Sequence, residues 1–507
     1  MVILVVLIVA AGATIWLLRT KGSPEQTTDE YLTAWSDQNY AKMRELVADP
    51  PADFETWHRR FLTDLKAERA TYQRPRQGGV FTDSGPDDKG YMDFSAKLKG
   101  RRDWEYQSRF KLVEQDGAWK VAWTPAVIHP KLKKGLSLRL VAQKRDSPSV
   151  LAADGTEIGG PDAPGSVQQL VEGIKQSNPD RFDGGGDSII GLYKGDELVE
   201  TLAKPIGTKP FPTTIDLRVH AAGAKALDDV TKPASLVALR ASTAEILAVV
   251  NKPGGFNRAL LGKYPPGSTF KVVTASALVA DGVEPARTVT CPAEKNIGGF
   301  PFHNAGFKDY GTLSFQDAFA HSCNTTFGEM SVAELNGGRL AQVARSFGFD
   351  TPIKPGVPAV RAEFPDPKDD TDLASASIGQ GRVLASPLNM ASVAAAIASG
   401  AWIPPRIVAK NMAADVRPRP LERGVVSALR KLMPAVVTDG TAKAAPFPPG
   451  TAGKTGTAEY GSGKEPPAHS WFIGYKGDVA FAVIVEGGGA GSAVAAPIAA
   501  RFLNALP

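Results

Sequence analysis

The sequence predicts a multidomain α+β protein: an N-terminal membrane helix, a small α+β domain, an extended connecting module, and a larger domain in which helices cover an antiparallel sheet. Three observations predict it. At 507 residues the chain exceeds what one core holds, and the length prior is roughly three domains. Its 43% hydrophobic and 22% charged residues are those of a folded globular chain. The hydrophobic pattern also changes along the chain, and the boundaries fall at residues 1–22, 23–130, 131–229 and 230–507.

The first element is the run MVILVVLIVAAGATIWLL, eighteen residues without a charge. As a helix rising ~1.5 Å per residue it extends ~27 Å, enough for the apolar core of a bilayer. A cleaved signal peptide would end near Ala10 to Ala13, yet the apolar run continues through Leu18, so a retained anchor is the expectation. Arg19 and Lys21 follow the span, and by the charge rule for membrane helices they favour an internal body.

In residues 23–130, DEYLTAWSDQNYAKMRELV places Leu32, Trp35, Met43, Leu46 and Val47 at mostly helical spacing. Trp104, Tyr106, Phe110 and Leu112 share one face of an alternating strand, and Asp116-Gly117 turns into AWKVAW. A helix on a curved antiparallel sheet follows, with no convergent catalytic set. Residues 131–229 are broken by AADGTEIGGPDAPG and DGGGDS and read as an extended, strand-poor module whose glycines form loops, not a phosphate cradle.

Beyond residue 230 the pattern is regular. ASLVALR and AEILAVV are strands about the turn Ala241 to Ala244, and STFKVVTASALVADG is a helix. SWFIGYKGDVAFAVIVE is a hairpin about Lys476-Gly477-Asp478, and SAVAAPIAARFLNAL a closing helix. Strands at both ends of a helix-rich middle imply one sheet built from distant segments.

A net charge of +5 and pI near 8.9 make only a weak basic bias. Without an arginine-rich run or aromatic-interleaved basic patch, no nucleic-acid partner is expected. The two cysteines, Cys291 and Cys323, stand in no Cys/His ligand spacing, so no metal site is indicated. They read either as two buried thiols or as one disulfide, the latter if the body lies outside the cytoplasm.

Ser268 and Lys271 stand three apart at the mouth of the predicted helix, and residues so spaced share a helical face. A serine hydroxyl needs a neighbouring base, and a lysine among other cations in a pocket has a lowered pKa and can serve. The pattern recurs at Ser108 and Lys111, but there in a strand, where residues three apart point to opposite faces. Two further motifs single out Ser268. Ser322-Cys323-Asn324 is the only Ser-x-Asn, and Lys454-Thr455-Gly456, followed by Thr457, the only Lys-Thr-Gly. Separately these could be a helix cap and a strand end; the three in this order are a strong signal of acyl transfer. His321 and His469 lack paired acids and read as structural, and Gly487 to Gly489 with Gly491 read as a turn.

With these motifs, TTIDLRVHAAGAKAL, FNRALLGKYPPGSTFKVVTA, GTLSFQDAFAHSCNTTF, SIGQGRVLASPLNMA and GKTGTAE, the chain resembles the class B penicillin-binding proteins, monofunctional peptidoglycan D,D-transpeptidases. Its N-terminal region resembles, less specifically, the nuclear-transport-factor-like domain of methicillin-resistance-type members. The middle module, with KRDSPSVLAADGTEI, is least similar and corresponds to a pedestal.

The resemblance implies Ser268 as nucleophile towards a stem pentapeptide, Lys271 as base, Ser322 as proton relay and Asn324 as holder of the substrate backbone. It implies that Lys454 keeps the site positive and tunes Lys271, that Thr455 and Thr457 with Gly456 bind the terminal carboxylate, and that the backbone N–H groups of Ser268 and Thr457 form the oxyanion hole. No cofactor or metal is implied. The implied partners are peptidoglycan strands, β-lactams, the cytoplasmic membrane and the cell-wall synthesis or division machinery.

A single-pass protein with an extracytoplasmic body follows, against the local charge rule, and calls for upstream basic residues or another orienting signal. A β-lactamase shares the motifs, and VAELN at Val332 to Asn336 superficially matches the glutamate element of class A enzymes, but its expected role is to end a helix at Gly337-Gly338. A D,D-carboxypeptidase differs only in the acyl acceptor. A non-catalytic β-lactam sensor or scaffold is disfavoured by intact motifs, and a glycosyltransferase by the lack of a paired-carboxylate module.

Overall fold

The computed structural model describes residues 22–75, 90–143, 147–160, 163, 165–182, 187–204, 208–408, 417–461 and 466–507. The expected anchor at residues 1–22 lies almost wholly outside them. Among the described residues no helix is long and apolar enough to cross a membrane. The chain divides into two compact units, one of residues up to 147 with 184–208, the other of 148–183 with 209–507.

In the first unit, helices Pro24–Ser36, Tyr40–Glu45 and Phe54–Asp64 accompany a five-stranded sheet. The helical pattern of DEYLTAWSDQNYAKMRELV is interrupted at Gln38, whose φ of 55° turns the chain before Asn39 caps the second helix. Trp104–Gln115 is the expected alternating strand, with Ser108 buried and Lys111 exposed. That places the second Ser-x-x-Lys pair on opposite faces. Trp35 stacks on Tyr72 at 3.7 Å in the core.

Residues 131–229 are shared between the two units and are richer in strands than their loop-forming composition suggests. Leu136–Gln143, Asp187–Lys194 and Glu197–Ala203 form an antiparallel sheet of the first unit. Gly195, at φ 59°, turns the chain between its strands Asp187–Lys194 and Glu197–Ala203. Helix Gly165–Ser177 belongs to the second unit and buries Val167, Leu170, Val171 and Ile174, a helical stripe.

The second unit is organised by a five-stranded antiparallel sheet in the order Glu245–Lys252, Ala234–Arg240, Val479–Val485, Ala468–Lys476, Ala452–Glu459. Nearest sequence neighbours form hairpins, but Ala234–Arg240 pairs with Val479–Val485 in the register Leu236↔Val483. The sheet thus joins distant segments, as the pattern predicts. Nearly every residue of Val479–Val485 is buried, so both faces are covered and the strand is continuously apolar. Pro387–Ser399 packs on the central strands, and Leu217–Leu227 packs with Ala495–Ala505.

The strand Ala452–Glu459 is the sheet's edge, lying against the turn Gly267–Phe270 that leads into helix Lys271–Ala280. Residues 271–278 of that helix are all buried, so it runs through the interior. Gly337-Gly338 do not end a helix. Asn336 caps a new one, Gly337–Ser346, by accepting from the Arg339 amide at 2.9 Å, while the preceding helix Asn324–Glu334 has already stopped at Leu335. The asparagine outweighs the helix-breaking tendency of the glycines because it satisfies an otherwise unpartnered amide.

Candidate active site

Two close backbone approaches place the dyad. Gly267 has φ 52°, and a Cβ there would lie 2.7 Å from the Thr457 carbonyl. Its amide donates to Gly379 O at 2.9 Å. Gly379 has φ 75°, and its Cβ would lie 2.1 Å from Gly267 O. Only glycine fits such contacts. Gly456 serves the edge strand likewise, since a Cβ there would meet Thr269 Cγ2 at 2.8 Å. SIGQG and Lys-Thr-Gly are therefore backbone surfaces against which Ser268 is set.

Lys271 is fully buried and its amine meets four oxygens: Asn324 Oδ1 at 2.6 Å, the Ser322 carbonyl at 2.7 Å, Ser268 Oγ at 3.1 Å and Ser322 Oγ at 3.4 Å. The Asn324 amide is oriented by its Nδ2, which donates to His303 O at 2.9 Å, so Oδ1 faces Lys271 as an acceptor. A neutral amine has two N–H groups and one lone pair. The two shortest contacts are to pure acceptors and take the two N–H groups, which leaves the lone pair for the Ser268 hydroxyl. Burial holds the Lys271 pKa well below its usual value, with Lys454 lowering it further. Phe327 presents its ring 5.5 Å from the amine.

Lys454 is also fully buried, and burial lowers its pKa to about 7. It donates to Thr455 O at 3.2 Å and lies 5.5 Å from the Phe319 ring centroid. The hydroxyls of Thr455 and Thr441 are 2.6 Å apart, and Thr457 Oγ1 accepts from the Gly491 amide at 3.2 Å. The Ser268–Lys271–Ser322–Asn324 cluster is thus assembled, with Lys454, Thr455, Gly456 and Thr457 on the adjoining edge strand.

Ser322 adopts φ 63°, the left-handed conformation that ends helix Phe315–Ala320 before the next helix begins at Asn324. The loop is held from outside its own sequence. Asn304 Oδ1 accepts from Asn324 N at 2.8 Å and Thr325 N at 3.3 Å, while its Nδ2 donates to Pro292 O at 2.8 Å and Lys308 O at 3.0 Å. Cys323 is joined to Cys291 by a disulfide, which resolves the two readings of the cysteines. Asn304 was not legible as a site residue, since FPFHNAGF has no motif spacing. His321 stacks on Tyr310 at 4.6 Å and His469 on Tyr460 at 4.2 Å, packing roles consistent with their lack of paired acids.

An interior lysine couple beside a serine, on an antiparallel sheet covered by helices, defines a serine acyl-transfer site. Residues 234–504 match the penicillin-binding protein transpeptidase domain, and residues 23–136 the NTF2-like N-terminal transpeptidase domain. The chain belongs to the penicillin-binding transpeptidase family. It is 33% identical over 323 residues to the peptidoglycan D,D-transpeptidase PbpA of Mycolicibacterium smegmatis, covering 52% of this chain and 65% of that protein. It is 32% identical over 358 residues to PbpA of Mycobacterium tuberculosis, covering 58% and 71% respectively.

Among solved structures, penicillin-binding protein A of M. tuberculosis as a penicillin G acyl-enzyme complex aligns with TM-score 0.52 and 30% identity over 59% of this chain and 82% of that one. PBP2 of Pseudomonas aeruginosa shares the fold, with TM-score 0.60 and 22% identity over 73% of this chain and 96% of that one.

Proposed function

We propose that this protein is a peptidoglycan D,D-transpeptidase that works through a Ser268 acyl-enzyme and is acylated at the same atom by β-lactams. The observation that carries the proposal is the Lys271 amine, buried, with two acceptors at 2.6 and 2.7 Å and Ser268 Oγ at 3.1 Å. Ser268 Oγ attacks the carbonyl carbon between the last two D-alanines as Lys271 takes the hydroxyl proton. The oxyanion gathers at the backbone N–H groups of Ser268 and Thr457. The C–N bond breaks, the proton passes by way of Ser322 to the departing D-alanine amine, and an ester remains on Ser268.

The amine of a neighbouring stem then attacks the ester, a new amide forms, and Ser268 recovers its proton. Asn324 holds the donor backbone, and protonated Lys454 with Thr455 and Thr457 receives the terminal carboxylate, alongside Gly456. In this reading the chemistry lies outside the cytoplasmic membrane, with the body anchored by residues 1–22 and working beside the cell-wall synthesis or division machinery; the peptidoglycan role in the relatives' names supports it.

The β-lactamase alternative calls for a carboxylate to activate water against the ester. The VAELN glutamate, Glu334, instead forms a two-pronged pair with Arg287, both contacts 2.7 Å. A D-Ala-D-Ala thioester with and without an amine acceptor tests transfer against hydrolysis. Acceptor-dependent amide product supports the proposal, and hydrolysis alone at every acceptor concentration would make the protein a carboxypeptidase.

A further inference from the structure

Thr441 belongs to none of the three motifs, yet it touches one of them and the turn that leads into another. Its amide donates to Ala320 O at 3.1 Å, two residues before Ser322. Gly440 makes that approach possible, since a Cβ there would lie 2.3 Å from Ala320 O. The Thr441 hydroxyl lies 2.6 Å from Thr455 Oγ1. One residue therefore ties the turn before Ser322 to the edge strand carrying Lys454.

The direction of that hydroxyl pair matters. A threonine hydroxyl has one proton to give and lone pairs to receive another. If Thr455 gave its proton to Thr441, its lone pairs would face an incoming carboxylate and repel it. If Thr441 donates to Thr455, the Thr455 proton is free for the carboxylate, and the chain of two hydrogen bonds polarises in one sense. We infer that Thr441 is a positioning residue for carboxylate recognition: its hydroxyl donates to Thr455 and so presents the Thr455 O–H to the anionic end of the donor peptide or β-lactam. This rests on the acyl-transfer reading and deepens it by assigning the donor's free carboxylate as the group that Thr441 makes selective.

The test compares benzylpenicillin with its methyl ester as acylating agents of the full chain, measuring second-order rates by intact-protein mass. Thr441→Val keeps the side-chain shape and removes the hydroxyl; the loss of one hydrogen bond in the relay is expected to lower the free-acid rate roughly tenfold. The ester rate, which gains nothing from an anion site, should stay within about twofold, and Thr441→Ser should restore the free-acid rate. The ester rate also reports that the variant is folded, and Thr441→Ala provides a second variant with the same expected pattern.

Equal loss with both probes would reduce Thr441 to a structural residue, and no loss with either would remove it from recognition altogether; both outcomes overturn the inference. A parent chain that neither probe acylates refutes the acyl-transfer reading itself and the inference with it. An acylating parent separates the two failures.

Discussion

Burying Lys454 makes the site work against the stability of its own domain. An unfolded lysine holds its proton up to 10.5, whereas folded Lys454 releases it at about 7. Between those values the unfolded state binds more protons, so stability rises with pH. The penalty is fully present below pH 7, declines through the interval and is gone above 10.5. At ~1.4 kcal/mol per unit its ceiling is ~5 kcal/mol.

Lys454→Met keeps an unbranched stem and removes the ammonium, giving up the contact with the Phe319 ring and the donation to Thr455 O at 3.2 Å, the latter worth about 1 kcal/mol. At pH 6 the variant should gain roughly 2–4 kcal/mol, while losing acylation. The gain should shrink by at most ~1.4 kcal/mol per unit from pH 7 upward. Calorimetry of the full chain reads the effect, because two compact units need not melt together. A gain that did not change with pH, or a loss at pH 6, would refute the reasoning.

Asn324→Asp sets a carboxylate where Oδ1 lies 2.6 Å from Lys271, raising the lysine pKa; acylation by the benzylpenicillin methyl ester should fall at least roughly tenfold at pH 7 and partly recover by pH 9. In the parent, acylation should rise as Lys271 loses its proton and fall above about pH 7, where Lys454 becomes neutral; the falling limb should be absent with the methyl ester. Gly379→Ala drives a methyl to 2.1 Å from Gly267 O at φ 75°, and should cost about 2–4 kcal/mol and most of the acylation rate, read by calorimetry and mass. Replacing Cys291 and Cys323 by serine opens a closure of 32 residues, and should cost about 3 kcal/mol in the larger unit's melting transition.

The proposed catalytic set was legible because its chemistry is written in short local spacings. Ser268 and Lys271 needed only a helical turn to meet, and the decoy at Ser108 and Lys111 was dismissed by the strand period alone. Ser322 and Asn324 were legible as residue types, but the φ of 63° at Ser322 arises from tertiary demands on the chain. Asn304 and Thr441 were not found because each acts across the fold, where no periodicity links it to the residue it holds. Gly379 belonged to a recognised segment, yet its reason became visible only in the contact with Gly267 O.

In residues 131–229 the turn-forming glycines and aspartates mask the strand pattern. The alternation of Leu136, Leu138 and Leu140 in LSLRLV was already a strand signal, and the sheet it joins unites residues some fifty positions apart.

Intact-protein mass spectrometry of the full chain after incubation with benzylpenicillin, beside Ser268→Ala, tests the central claim most directly. The predicted result is one covalent adduct of the drug's mass on the parent, mapped to the peptide carrying Ser268, and none on the variant. An adduct that persists in Ser268→Ala, or a parent that stays unmodified after prolonged exposure, would contradict the account.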